Sequence, residues 1–174
     1  MDDLVPFGGV DYFILLGLLV FARGADFLST WVATPNLVLE ANPIAKKLGW
    51  KWGIPVNLAF SVGLALWPLP AIVIATASAL VAARNFQHAW LMRAFGEESY
   101  RAWHRDRIQE IGFSLYLACL FGQTLLTAAV GGALVWFSPR HLIGLAIGWG
   151  ILAYAAAVTF YTLLSLWRLR RTMG

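Results

Sequence analysis

The sequence predicts an all-α membrane protein: a polytopic four-helix transmembrane bundle with an amphipathic interfacial helix between its second and third spans. The first observation is composition. The chain of 174 residues is 60% hydrophobic and 13% charged, whereas soluble domains carry about 25% charged residues. So much apolar surface requires lipid as part of its solvent. The second is the presence of four long apolar runs, at about 11–33, 57–83, 111–137 and 142–167. Each is long enough to cross ~30 Å of hydrocarbon, and each is expected to be helical because backbone groups in lipid must be satisfied within their own segment. The third is that the basic residues behind the net charge of +4 collect at the ends of these runs. That pattern reflects membrane topology and anionic headgroups, and it argues against nucleic acid as a partner.

Residues 1–174 read as a single integral membrane domain. The start, Met1-Asp2-Asp3, is acidic, so it lacks the basic region of a cleavable signal, and the first helix is expected to be retained. The first span carries Arg23, Asp26, Ser29 and Thr30 and breaks at Pro35. The second contains Trp67-Pro68-Leu69-Pro70, an expected kink, and a four-residue stripe of Ala71, Ala75, Ala79 and Ala83. Ser114, Ala118 and Gly122 form a similar stripe in the third span, and Gly144 and Gly148 a Gly-xxx-Gly step in the fourth. Such seams let backbones approach closely, either within one chain or in a homo-oligomer. Between the second and third spans, at about 85–108, aromatic and basic residues alternate at helical spacing. This suits a helix in the headgroup plane or a connector docked under the bundle. Trp67 and Trp149 are expected to pack within the bundle, and Cys119 to be a small buried filler.

Orientation follows from lysine and arginine. Four spans would place both termini and the 85–108 region on one side, with Arg84, Arg93, Arg101, Arg105, Arg107, Arg168, Arg170 and Arg171. The other side would hold Lys46, Lys47, Lys51 and Arg140. Eight against four predicts both termini in the cytoplasm.

Ionisable groups inside a span are costly and therefore candidate functional groups. Arg23 and Asp26 are three apart, on one helix face, with Thr30 a turn further. Glu40 and Asn42 lie in a short turn closed by Pro43, Asn57 opens the second span, and His141 starts the fourth. With four spans, all would converge on one leaflet. The ligand-binding set is then Arg23, Asp26, Thr30, Glu40, Asn42 and Asn57, and the candidate metal set is Asp26, Glu40 and His141. Three readings compete: a structural ion pair with helix-capping amides, a transporter-like cation or proton site, and a lipid-processing enzyme using a carboxylate base. His-Glu-x-x-His and Gly-x-Ser-x-Gly signatures and a phosphate-cradling glycine loop are absent from the sequence. His88 and His104 read as interfacial residues. A bis-histidine haem is not expected, since no histidine sits mid-span.

The pattern Asp26-x-x-x-Thr30 followed by Glu40-x-Asn42-Pro43 resembles a family of small four-helix membrane proteins of bacteria and archaea to which no activity is assigned. The resemblance covers about twenty residues and the helix count. It implies that these residues belong to one constellation, and it suits a cytoplasmic (inner) membrane. The run Phe95 to Tyr100 is similar to a loop of membrane-embedded methyltransferases, but the other expected cofactor-binding residues are not evident, so no activity carries over.

The expectation is a small membrane binding or accessory protein whose polar site takes a divalent cation or a lipid headgroup, with a link to transport. The alternatives are a membrane enzyme acting on a lipid and a structural subunit of a larger membrane complex. Membrane lipids are the expected partners.

Overall fold

The computed structural model describes residues 4–171, with side chains through 168; the acidic start Met1-Asp2-Asp3 and the side chains of Arg170 and Arg171 lie outside the described residues. Among the described residues six helices follow in order: α1 (Val10–Ala33), α2 (Pro43–Leu64), α3 (Pro68–Phe95), α4 (Glu97–Ile111), α5 (Phe113–Phe137) and α6 (Leu142–Arg171). Four of them, α1, α3, α5 and α6, are long and apolar enough to cross a membrane. Phe13, Phe21, Phe60, Leu126, Trp136 and Phe137 all lie exposed on the outer surface. Exposed apolar surface on this scale is what a lipid environment covers.

The expected second span at 57–83 is two helices, not one. α2 ends at Leu64, the chain turns through Ala65, Leu66 and Trp67, and Pro68 opens α3. Proline is well suited to the first helical turn, where its missing N–H has no partner to lose, so the Pro68-Leu69-Pro70 stretch starts a helix instead of kinking one. α2 runs back along α1. Trp50 Nε1 donates to Pro35 O, Gly53 packs on Phe27, and Tyr12 donates to Val62 O. Val5 N donates to Leu66 O at the far end. α3 then runs parallel to α1, its most extensive neighbour, burying Ala71 and Ala75 against Tyr12, Leu15, Leu19 and Ala22.

The extra traverse reverses everything after it. The end of α1 and the end of α3 lie together, and α4 sits there too. α5 returns, and α6 runs parallel to α3, with Gly150 against Val73 and Thr76 and Val158 near Val81. One end therefore gathers Lys46, Lys47, Lys51, Arg93, Arg101, Arg105, Arg107 and Arg168, while Arg140 lies at the other. The expected eight-to-four division across two sides is replaced by a single basic end. Because α1 and α6 both run parallel to α3, residues 4 and 171 lie at opposite ends, contrary to the expectation for the termini.

The interfacial helix expected at about 85–108 is also divided. α3 continues to Phe95, Gly96 breaks the helix at φ 77°, and α4 covers Glu97–Ile111. The small-residue seams are shifted as well. The buried face of α3 is Ala71, Ala75, Ser78, Ala82 and Ala89, whereas Ala79 and Ala83 are exposed. A strict four-residue step drifts around a helix of 3.6 residues per turn, so a face that stays in contact alternates threes and fours. On α5 the buried face is Leu120, Thr124 and Gly131, while Ser114, Ala118 and Gly122 point outward. Gly148 does pack within the chain, and its partner is Gly131: a Cβ on either would come within 2.9 Å of the other's carbonyl oxygen. Gly144 faces Ser138. Trp67, Trp149 and Cys119 are exposed, not buried.

The close crossing of α3 and α6 gives a direct test. A Cβ at Gly150 would lie 2.6 Å from Thr76 Cβ and 2.8 Å from Val73 O, and a backbone oxygen cannot move aside. Gly150→Val is expected to lower the thermal midpoint in detergent by the equivalent of about 1–3 kcal/mol. Gly132→Ala meets nothing within 4 Å and is expected to leave the midpoint unchanged or raise it, since alanine favours a helix by about 1 kcal/mol over glycine. Equal effects at the two positions would contradict the crossing.

Candidate functional site

Arg23 is the centre of the polar network. Its Nη1 donates to Asp26 Oδ2 at 2.9 Å and to Ser78 Oγ at 3.1 Å. Its Nε donates to Asn57 Oδ1 at 3.0 Å, and its Nη2 donates to the same oxygen. One guanidinium thus ties α1 to α2 and to α3. It also lies 5.7 Å from the Phe27 ring centroid, within cation–π range. Asn57 is held in turn, its Nδ2 donating to Gly53 O at 2.9 Å, and Ser61 Oγ donates to Asn57 O at 2.9 Å. Two turns nearer the basic end, Asn85 Nδ2 donates to Ser29 Oγ and Thr30 Oγ1, adding a second polar tie between α1 and α3.

A cavity of about 270 Å³ opens beside this network, lined by Leu19, Arg23, Asn57, Phe60, Ser61, Leu64 and Ile74. Its polar wall is Arg23, Asn57 and Ser61; its other walls are apolar. A guanidinium has five N–H donors. Asp26, Ser78 and Asn57 engage four of them, leaving one on Nη2.

Glu40 and Asn42 serve a different purpose. Glu40 Oε1 accepts from Asn42 N at 2.7 Å, and Asn42 Oδ1 accepts from Ile44 N and Ala45 N. Asn42 is therefore the N-cap of α2, with Pro43 at its first position. The Glu-x-Asn-Pro pattern is a self-contained helix start. Glu40 remains close enough for its charge to act on Asp26. Burial pushes the Glu40 carboxyl above its ordinary range, against backbone hydrogen bonds from Asn42 and Ala41 and the charge of Lys46.

His141 is not part of this group. It opens α6 at the end opposite Glu40, its N–H donating to Ser138 O. The structure does not bring Asp26, Glu40 and His141 together, and no cluster of three metal-ligating side chains occurs among the described residues. The reversal introduced by the α2–α3 turn carries His141 to the far end.

Three residues that sequence reasoning missed are central. Ser78 and Asn85 lie seven apart on α3, on the face that packs against α1; polar residues at heptad spacing in an apolar helix were the available signal. The third is Glu97. Its Oε2 accepts from Thr34 Oγ1 at 2.8 Å and Val38 N at 3.1 Å, and its Oε1 from Asn36 N and Asn36 Nδ2, both at 3.0 Å. One carboxylate thus latches the turn after α1 to the start of α4. These bonds flank Leu37, which is held at φ 56°, a conformation unfavourable for a residue with a side chain. Burial pushes the Glu97 carboxyl up, but the bonds from Asn36, Thr34 and Val38 outweigh it and hold it below the ordinary range.

Comparison with protein-family models, curated protein sequences and solved structures finds no match to this chain. The geometry must carry any functional reading.

The two carboxylates should respond to pH with opposite sign. Glu97 is lowered from 4.5, so its stabilisation is present above that value and is lost as pH falls through the lower folded value. Glu40 is raised from 4.5, so the folded state favours its neutral form, and that contribution is lost as pH rises through the folded value. Glu97→Gln is expected to speed hydrogen exchange at Asn36 and Val38 at neutral pH, and acidification should do the same to the unmodified chain. Glu40→Gln is expected to leave the neutral-pH thermal midpoint unchanged or to raise it. A fall would show that the Glu40 charge is needed.

Proposed function

We propose that this is a small integral membrane binding protein that holds the polar head of a lipid in the cavity between α1, α2 and α3. The observation that carries this reading is the lining of that cavity: Arg23, Asn57 and Ser61 on one wall, Leu19, Phe60, Leu64 and Ile74 on the others. An amphiphile matches such a surface, with its head accepting from Arg23 and its chain against the apolar walls. A guanidinium recognises a phosphate or carboxylate head better than a point charge does, because its donors lie in a plane. A divalent cation fits the site less well. The cavity is faced by the cationic member of the Arg23–Asp26 pair, and the Asp26 carboxylate is engaged by Arg23.

Position supports the same reading. Arg23 lies ~20 Å along α1 from Val10 at 1.5 Å per residue, so the polar wall sits deep, with the apolar lining towards the other end. The lone basic end faces the cytoplasm in this reading, as the positive-inside rule favours. A bacterial or archaeal cytoplasmic membrane suits the size and pattern of the chain. Residues Asp26, Ser78 and Asn85 would then hold Arg23 and α1 in place, without touching the lipid.

Native mass spectrometry of protein extracted gently from membranes tests this. A lipid adduct at one per chain is expected. Leu64→Trp fills the cavity without touching the Arg23 hydrogen bonds, and it should reduce lipid retention while leaving the thermal midpoint close to that of the unmodified chain. Retention unaffected by Leu64→Trp, or no adduct at all, would refute the lipid reading. A stoichiometric divalent metal by elemental analysis would favour the cation instead.

A further inference from the structure

A second cluster lies at the basic end, outside the cavity described above. Arg84 on α3 has a buried Nη1 with no hydrogen-bond partner among the described residues. It also pairs with no carboxylate among the described residues, unlike Arg23, Arg105 and Arg107. Buried guanidinium donors are rarely left unsatisfied, because the loss of hydration is uncompensated. The charge of Arg84 acts on Tyr116, in the first turn of α5. The His104 ring stands edge-on to Tyr116 with centroids 6.0 Å apart, and it stacks on Tyr100 at 5.8 Å. His88, one turn after Arg84, is close enough to His104 for their charges to interact.

We infer that this junction of α3, α4 and α5 is a second ligand site that takes a phosphate group, with Arg84 as its cation and Tyr116 and His104 as further hydrogen-bonding partners. A tetrahedral oxyanion needs several donors at once. A guanidinium supplies two parallel N–H bonds, and a phenol and an imidazole can each supply one. Burial and His88 hold His104 below its ordinary range, so at neutral pH the imidazole contributes a hydrogen bond and no charge. The positive charge of the cluster is then that of Arg84. A carboxylate would match the guanidinium alone; the additional phenol and imidazole favour the larger oxyanion. Tyr116 lies at the edge of an apolar helix, the level at which lipid phosphates sit. The phosphate has two sources, an anionic lipid headgroup or the free ion, and they bind through the same chemistry.

The test uses the full chain in a non-phosphate detergent, with a short-chain phosphatidic acid, diacylglycerol of the same chain length, or inorganic phosphate added separately. Native mass spectrometry reads retention of the lipids, and the thermal midpoint reads protection. Retention of phosphatidic acid over diacylglycerol is expected, with a raised midpoint. Protection by phosphatidic acid alone assigns the lipid source; protection by inorganic phosphate as well assigns a site for the free ion. Arg84→Gln is expected to weaken retention about tenfold, the loss of one charge-assisted contact. Without phosphate it should leave the midpoint unchanged or raise it, because it removes the buried Nη1, which has no hydrogen-bond partner among the described residues. Tyr116→Phe keeps the ring packing and should weaken retention by less. Arg140→Gln, at the opposite end, should change nothing. Equal retention of phosphatidic acid and diacylglycerol overturns the proposal. So does an Arg84→Gln midpoint that falls in detergent alone while Tyr116→Phe retains lipid fully, since Arg84 would then be a structural residue.

Discussion

A guanidinium placed among apolar helices must be satisfied where it stands, and the arrangement of the first three helices follows from that requirement. Arg23 draws Asp26 from its own helix, Asn57 from α2 and Ser78 from α3. Removing any one partner would leave a guanidinium N–H without its protein acceptor, at a cost in stability. The constraint also sets register. Asn57 has to reach the level of Arg23, which fixes how far α2 travels back along α1 before the turn at Ala65, Leu66 and Trp67. The apolar contacts of Leu19 and Ala22 with Ala71 and Ala75 fill the space beyond that level. The hydrocarbon contacts supply area, while the polar contacts select one alignment out of several that the area alone would allow.

The same economy appears at the basic end, where acidic residues are used to build turns. Glu40 and Asn42 start α2, and Glu97 holds the turn after α1 against the start of α4. Both carboxylates accept backbone N–H groups, yet their ionisation shifts in opposite directions. Glu97 accepts four hydrogen bonds, enough to outweigh desolvation, whereas burial prevails at Glu40. The number of donors facing a carboxylate decides which form the fold prefers.

Much of the central site was legible in the sequence. Arg23 and Asp26 are three apart on an apolar helix, and their pairing needs only helix geometry. Asn57 was legible as a polar residue entering an apolar run, and it does meet Arg23. Thr30 joins the network through Asn85, a partner the sequence did not single out. Glu40 and Asn42 belong to the same end of the molecule but are occupied with capping, which the Asn-Pro pair signals when it is read as a helix start. His141 was misplaced because its position depended on counting reversals of the chain. The reading of 57–83 as one span missed a reversal. Pro68 looks the same in sequence whether it bends a helix or begins one. The small-residue stripes failed for a related reason: exact four-residue spacing is easy to see, but a packed face follows 3.6 residues per turn.

Composition and local periodicity alone determined that the chain is helical, that α1, α5 and α6 begin and end close to their observed limits, and that lipid-compatible surface dominates. These are sums over neighbouring residues, since hydropathy and backbone satisfaction are decided within a segment. Tertiary structure decided which way each helix runs, which face of it is buried and which polar residues share a site. Those depend on register between segments far apart in sequence. A single three-residue turn, from Ala65 to Trp67, reversed the placement of α4, gathered the basic residues at one end and separated His141 from Asp26. Helix direction alternates with every reversal, so one turn hidden within an apolar stretch propagates through all the helices that follow.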